Sequence, residues 1–149
     1  MNVVLRDPWE AYDLEYYAQR LAEPELMEES LAVRMMRMPL LAVRVGGTRR
    51  GGSYPVPCPC FAWAVRAALQ GQPGYPHLRM RWSTRPDAGL LVEWGEEPPT
   101  LWPPADDADV GRFYGYSKVA IDQYTARRTQ VLTVPPASCS VFLPERPPV

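Results

Sequence analysis

The chain has 149 residues, of which 46% are hydrophobic and 22% charged, and its formal net charge is −1 at pH 7. This length and composition predict one folded domain with its own core and exclude an intrinsically disordered chain. No apolar run approaches the ~20 residues of a membrane-spanning helix, and the first residues lack the basic and apolar regions of a secretory signal. We therefore expect a cytoplasmic protein with no membrane partner.

The apolar pattern predicts three helices and four strands. Asp7 and Pro8 suit the N-cap and the first position of an opening helix, and Ser117 suits the N-cap of the last helix. Between them, apolar residues alternate at strand spacing in four segments and recur at helical spacing in one. The predicted elements are a helix from residue 7, strands at 31–38 and 40–45, a helix at 60–70, strands at 77–82 and 90–94, and a helix from 117 to about 128.

Two successive β-β-α units after the first helix predict the α+β class. We expect one antiparallel sheet of four to five strands with helices packed on one face, in the order α-β-β-α-β-β-α. The fifth strand would be an edge strand at residues 130–134. The domain would then span residues 1–134, and a Pro-rich C-terminal segment would follow at 135–149.

The charges are distributed unevenly along the chain. Residues 31–85 contain nine arginines and no Asp or Glu, whereas the first thirty residues sum to −6 and the remainder, from residue 86, to −4. A basic patch in the centre would suit phosphate, nucleic acid or an acidic partner. Alternatively, the acidic flanks pack beside the basic segment and neutralise it within the fold.

Arg49 and Arg50 are the first candidate anion-binding residues. They lie in a glycine-rich loop at residues 46–53, where backbone N–H groups and guanidinium forks suit a phosphate or a carboxylate. The loop lacks both the ending of a P-loop and the dinucleotide fingerprint, so neither nucleotide motif is present. An exposed connector between a strand and a helix is the structural alternative.

Arg44, Arg79 and Arg81 are the second group of candidate anion-binding residues. They would project from the outer face of the predicted sheet, which would form a platform for nucleic acid or another anionic ligand. The alternative is that Arg79 or Arg81 pairs across the strands with Glu93 or with an acidic helix.

An aromatic segment at residues 113–116 is a candidate ligand pocket. The phenols of Tyr114 and Tyr116, beside Arg112, would line this pocket between the segment and the sheet, with His77 at the start of a neighbouring strand. The alternative is a lid that packs on the core. His77 is the only histidine, and no nucleophile or acid–base motif accompanies it, so catalysis stays undecided.

The sequence predicts no metal and no cofactor. Cys58, Cys60, Cys139 and His77 would supply a zinc ligand set, but the C-x-C spacing does not match zinc motifs. An odd number of cysteines is also a poor disulfide framework, so we expect reduced thiols.

Three strings are distinctive together. They are VGGTRRGG at residues 45–52, RWS at 81–83 with LLVEWGEEPP at 90–99, and GRFYGYSKVAI at 111–121. On these strings the chain resembles a family of small actinobacterial proteins of unknown function, over roughly residues 14–124. The resemblance implies no activity and no catalytic residues.

The leading interpretation is a non-enzymatic binding or regulatory domain that recognises an anionic partner through its Arg-rich centre. The partner would be a nucleic acid, a nucleotide or an acidic protein surface. Two alternatives remain. One is a small-molecule enzyme or ligand-binding protein with its pocket at residues 113–116, and the other is a protein-interaction module or homodimer.

Overall fold

A computed structural model describes residues 2–83, 89–99 and 106–133 of the chain. This part is α+β and includes 3-10 turns at Pro8–Glu10 and Pro24–Met27. None of its helices is both long enough and apolar enough to cross a membrane. In chain order the elements are β1 (Val4–Arg6), α1 (Leu14–Ala18), β2 (Leu31–Arg34), β3 (Pro39–Ala42), β4 (Gly51–Val56), α2 (Pro59–Leu69), β5 (Arg79–Trp82), β6 (Leu90–Gly95), α3 (Asp107–Phe113) and α4 (Lys118–Thr133).

The first sheet has the antiparallel strand order β1-β2-β3 and separates two cores. On one face, Val33 and Ala42 join the larger core, which the sheet shares with the rest of the protein. On the other face, Ala32 and Leu41 join a smaller core with buried residues of the N-terminal segment, which we define as residues 7–30 between β1 and β2. The sheet can serve both cores because successive side chains of a strand point to opposite faces.

The N-terminal segment is fixed along the free edge of β3. The backbone N–H of Tyr12 donates to the carbonyl of Pro39 over 2.8 Å, and the N–H of Leu41 donates to Asp13 Oδ1 over 2.7 Å. These bonds satisfy edge groups of β3 that β2 does not reach, and they protect that edge from pairing with another chain.

The second sheet has the antiparallel order β4-β6-β5 and faces the first sheet across the larger core. Buried aromatic side chains connect the two sheets by hydrogen bonds. The Tyr54 hydroxyl donates to Val33 O over 2.9 Å, and Trp94 Nε1 donates to Val43 O over 3.1 Å. Each ring therefore fills the core while its polar group reaches a backbone carbonyl of the opposite layer.

Helix α2 closes the larger core. Its fully buried residues Ala62, Val65 and Leu69 recur every three or four positions and so form one stripe. The helix predicted at residues 60–70 is thus confirmed within one residue at each end. The predicted N-cap of the last helix is also confirmed, because the Ser117 hydroxyl accepts from Ala120 N over 3.2 Å.

The α+β class and the antiparallel pairing are confirmed, but the single sheet of four to five strands and the order α-β-β-α-β-β-α are not. The described residues form two three-stranded sheets, and two of the strands have no counterpart in the prediction. Strand β1 is only three residues long. Strand β4 contains Gly51, Gly52 and Pro55, which are typical of loops.

These unusual residues of β4 have local reasons. A Cβ on Gly52 would lie 2.5 Å from the Trp94 ring, so only glycine allows the two strands to pack around that side chain. Pro55 is exposed and β4 is an edge strand, where a missing N–H donor is tolerated.

The ends of the chain also differ from the prediction. The opening helix is a 3-10 turn followed by the five-residue α1. Residues 130–133 belong to α4 instead of an edge strand. Residue 134 and the Pro-rich segment at 135–149 lie outside the described residues, as do residues 84–88 and 100–105.

Candidate functional site

Residues 113–116 connect the N-terminal segment to the second sheet. The backbone N–H of Arg50 donates to Phe113 O over 2.9 Å, and Ala22 N donates to Gly115 O over 2.9 Å. Phe113 is buried, whereas Tyr114 and Tyr116 are partly buried. Residues 113–116 therefore pack between the N-terminal segment and the start of β4. Ligand binding by its two tyrosines stays a prediction.

Arg49 is buried beside this segment, with only 4% of its surface exposed. Its Nη1 donates to the carbonyl of Tyr114 over 2.7 Å, while its Nε has no hydrogen-bond partner among the described residues. Burial lowers the pKa of the guanidinium, and the nearby phenols of Tyr116, Tyr17 and Tyr114 partly offset this effect. Burial likewise raises the pKa of each of these three phenols.

Arg79 and Arg81 share one carboxylate, that of Glu93 on the central strand β6. The Glu93 side chain is only 2% exposed, and it accepts from Arg79 Nε at 3.3 Å and from Arg81 Nη2 at 2.7 Å. Arg79 also donates to the carbonyls of Gly95 at 2.9 Å and of Glu96 at 2.8 Å. The cross-strand pairing considered as an alternative from the sequence is therefore present.

One loop arginine and one strand arginine contact the same residue, Glu96. Arg50 Nε donates to Glu96 Oε2 over 2.7 Å, and Arg79 donates to the carbonyl of the same residue. We refer to Arg49, Arg50, Arg79 and Arg81 as the arginine cluster. Because Glu93 and Glu96 already occupy its exposed members, an anion would compete with existing ion pairs. Anion binding at the arginine cluster stays a prediction.

The remaining predicted residues have other partners, apart from one contact in which Arg79 Nη1 donates to the carbonyl of His77 over 3.2 Å. Arg44 pairs with Glu29 and lines an open hollow of about 490 Å³ together with Gly74 and Tyr75. Arg112 pairs with Asp109 in the same short helix. His77 is exposed, and its φ of 54° lies in the left-handed region that non-glycine residues rarely adopt. No hydrogen bond, ion pair or ring contact joins His77 to Tyr114, Tyr116 or Arg112 in the described residues, and their roles in a pocket stay predictions.

A second open hollow, of about 410 Å³, lies at the end of the first sheet. It is lined by Arg6, Glu10, Arg34, Arg37 and Pro39, and we call it the basic hollow. Arg34 lies opposite Pro39 in the β2–β3 pair, and Arg6 ends the neighbouring strand. Strand pairing thus places two of the arginines on one face of the sheet, and the β2–β3 turn adds the third.

The arginines of the basic hollow differ from those of the arginine cluster. Within the described part of the chain, the side chains of Arg6, Arg34 and Arg37 make no hydrogen bond and no ion pair, although Glu10 lies in the same hollow. Three cations and one carboxylate therefore leave an excess of positive charge. Arginine side chains that line one hollow without an ion-pair partner suit a planar anionic group.

Four large exposed apolar side chains belong to residues that are close in the chain, or hydrogen-bonded through the backbone, to residues lining the basic hollow. Trp9 precedes Glu10, the N–H of Tyr12 bonds to Pro39, and Met36 and Met38 flank Arg37. Each of these four is more than half exposed. We call them the apolar rim, which consists of Trp9, Tyr12, Met36 and Met38.

A family model described as "Family of unknown function (DUF6302)" matches residues 5–145. The chain belongs to this family. No curated protein and no solved structure matches the chain. Membership of a family of unknown function brings no activity, no ligand and no site residues. Any functional proposal for this DUF6302 member must therefore depend on its own geometry.

The three arginines of the basic hollow were not singled out from the sequence of this family member. In a strand at residues 31–38, Arg34 and Arg37 would point to opposite faces. The strand instead ends at Arg34, and the following turn brings Arg37 back towards it. Arg6 belongs to β1, which the sequence does not predict. The sequence did contain one sign of an exposed turn at this position: Arg37 lies between Met36 and Met38, and both methionines are exposed in the structure.

Metal binding has no support from the described residues. They contain no group of three or more His, Cys, Asp or Glu side chains that could hold an ion. Cys58 and Cys60 are free thiols, and Cys139 lies outside the described residues.

Proposed function

We propose that this protein is a non-enzymatic binding domain that recognises an anionic partner through the basic hollow. One observation carries the proposal. Arg6, Arg34 and Arg37 converge on one open hollow and have no counter-charge bound to them in the part of the chain that the structure describes.

The contrast with other arginines of the central segment supports this proposal. Arg44, Arg50 and Arg79 each have a glutamate partner, as expected where charges are compensated within a fold. Like charges in one hollow repel each other, so an incoming anion would relieve that repulsion and also gain charge-assisted hydrogen bonds. The lining residues within the described ranges include no histidine, cysteine or hydroxyl side chain, which favours binding over catalysis.

Titration of labelled anionic probes tests the proposal. The probes are single-stranded DNA, RNA, ATP and polyglutamate, each titrated with the full chain at about 50 mM and about 200 mM salt. We expect at least one probe to bind, with an affinity that falls as salt rises. The triple variant Arg6→Gln, Arg34→Gln and Arg37→Gln should weaken that binding about 100-fold, since each lost contact contributes about 1 kcal/mol.

Two control variants locate the site. Lys118→Gln, Arg127→Gln and Arg128→Gln on α4 change the net charge by the same amount and should leave binding nearly unchanged. The double variant Arg50→Gln and Arg81→Gln tests the arginine cluster. If no probe binds in a salt-dependent way, the proposal fails. If the double variant loses binding and the triple variant of the basic hollow does not, the arginine cluster is the site instead.

A further inference from the structure

The basic hollow and the apolar rim together identify a class of partner, an inference that rests on the proposed function. We infer that they form a docking surface for an acidic peptide segment with apolar side chains, carried by another protein. Its carboxylates would pair with Arg6, Arg34 and Arg37, and its apolar side chains would pack against the rim.

The composition of this surface is the first argument. Trp, Tyr, Met and Arg are the residue types enriched in protein–protein interfaces, and Trp, Tyr and Arg dominate the binding energy of such interfaces. Here arginine lines the hollow, and the exposed residues of the apolar rim are close neighbours of the lining residues in the chain. Unbranched methionine side chains adapt to irregular apolar partners, which suits Met36 and Met38 in the β2–β3 turn.

The placement of the charges is the second argument. The arginines line the hollow, and the rim residues come from two segments that supply its lining, with Trp9 and Tyr12 from the N-terminal segment and Met36 and Met38 from the turn. A peptide across the hollow would meet carboxylate-binding groups and apolar contacts in turn. Each guanidinium can bind a carboxylate through two parallel hydrogen bonds, which gives orientation as well as affinity.

The acidic surroundings favour a peptide over a nucleic acid. The first thirty residues carry a net charge of −6, and Glu10 lies within the hollow itself. Duplex DNA presents a charge about every 1.7 Å, so a long strand that leaves the hollow would meet repulsive carboxylates. A short segment with few carboxylates avoids this repulsion.

Two synthetic peptides of equal length and charge test the inference. One alternates glutamate with leucine, and the other alternates glutamate with serine; single-stranded DNA and RNA of matching charge are measured beside them. The full chain should bind the Glu/Leu peptide at least about tenfold more tightly than the Glu/Ser peptide. It should bind neither nucleic acid more tightly than the Glu/Ser peptide.

Variants of the apolar rim provide the decisive comparison. Met36→Ser with Met38→Ser should remove most of the preference for the Glu/Leu peptide and leave the Glu/Ser affinity unchanged. The matched control is Trp63→Ser with Val119→Ser, which alters two equally exposed apolar residues on other elements and should preserve the preference.

The outcomes separate the inference from the proposed function. Equal binding of both peptides through the three arginines would overturn the inference and leave anion recognition standing. Tighter binding of DNA or RNA through the same arginines would do the same and would identify a nucleic acid as the partner. If none of the probes binds, or if binding survives the triple arginine variant, both the inference and the proposed function fail.

Discussion

Arg49 joins the turn before β4 to the segment at residues 113–116. A buried cation is costly because it loses its hydration, and a carboxylate usually compensates. Here the compensation comes from the Tyr114 carbonyl and from the phenols around the guanidinium. In this arrangement the backbone at residue 115 lies close to the backbone of Arg49, and glycine at position 115 leaves the space for this close packing. A Cβ on Gly115 would lie 2.7 Å from Arg49 Cβ and 3.0 Å from Arg49 Cα.

Gly115→Ala should therefore destabilise the protein for two reasons. Its φ of +71° is strained for alanine, which costs about 1 kcal/mol, and the added methyl group would collide with Arg49 backbone atoms. We expect a total loss of about 3 kcal/mol in the free energy of unfolding, measured by urea denaturation. Gly71→Ala is the matched control, because Gly71 has a φ of +80° with no atom near its Cβ position. Equal losses in the two variants would contradict the packing role of Gly115.

At the scale of elements, β6 organises the second sheet. It pairs with both β4 and β5, and the side chains on its two faces make different kinds of contact. Val92 and Trp94 fill the shared core, whereas Glu93 holds Arg79 and Arg81 on the outer face. A buried carboxylate that pairs with both guanidinium groups favours this register of β5, because a shift of one residue would turn Arg79 and Arg81 to the other face of the sheet. Removal of its charge would leave two cations beside a neutral group.

Glu93→Gln should cost about 2 kcal/mol of unfolding free energy, since it breaks a buried pair whose arginines remain in place. Glu96→Gln is the matched control. Its carboxylate is 57% exposed and pairs with Arg50, which is also exposed, so the expected loss is below about 1 kcal/mol. Urea denaturation of both variants measures the difference. A Glu93→Gln variant as stable as Glu96→Gln would show that the outer-face ion pairs do not hold β5.

The sequence predicts elements well where a periodic pattern decides them. Helix α2 and the β5–β6 pair follow directly from apolar spacing, and the pairing of Arg79 and Arg81 with Glu93 follows from cross-strand neighbours. Strand β4 could not be predicted, because Gly52 is required by the Trp94 ring and Pro55 is tolerated at a free edge. Both are consequences of tertiary packing, which local propensity does not contain.

The candidate sites show the same division. The sequence shows that residues 31–85 contain nine arginines and no acidic residue, but it does not show which of these arginines form ion pairs. Glu29, Glu93 and Glu96 neutralise some of its members through contacts between distant parts of the chain. Arg34 and Arg37 have no ion-pair partner among the described residues, and they line one hollow with Arg6, which belongs to a strand too short to show a pattern. Which arginines remain available is therefore decided by the tertiary fold, after local structure has formed.

At the scale of the whole molecule, the two sheets are joined by buried aromatic side chains with polar ends. The Tyr75 hydroxyl donates to Ala42 O over 2.6 Å and accepts from Leu31 N over 2.9 Å, so it connects two strands of the first sheet. The Tyr54 hydroxyl makes a similar bond to Val33 O. These hydrogen bonds specify how the layers fit together, because a core of apolar groups alone would allow several arrangements.

The buried phenols also predict how stability depends on alkaline pH. Burial raises the pKa of Tyr54 and of Tyr75 from 10.0 to about 12. Above about pH 10 the unfolded chain releases phenolic protons that the native state retains, so each residue lowers the free energy of unfolding by up to about 1.4 kcal/mol per pH unit. The contribution is fully present below about pH 9 and is lost as the pH rises through 12.

Comparison of the wild-type chain with Tyr54→Phe isolates one of these phenols. Near pH 8 the variant should be less stable by about 1 kcal/mol, because the bond to Val33 O is lost. Phenylalanine does not titrate, so the gap between the two proteins should close above about pH 10 and reverse towards pH 12. Urea denaturation across this range, with tyrosinate absorbance followed in parallel, measures both effects. A gap that stays constant with pH would mean that the Tyr54 phenol titrates alike in the folded and unfolded states, and the buried hydrogen bond between the sheets would then not be maintained in solution.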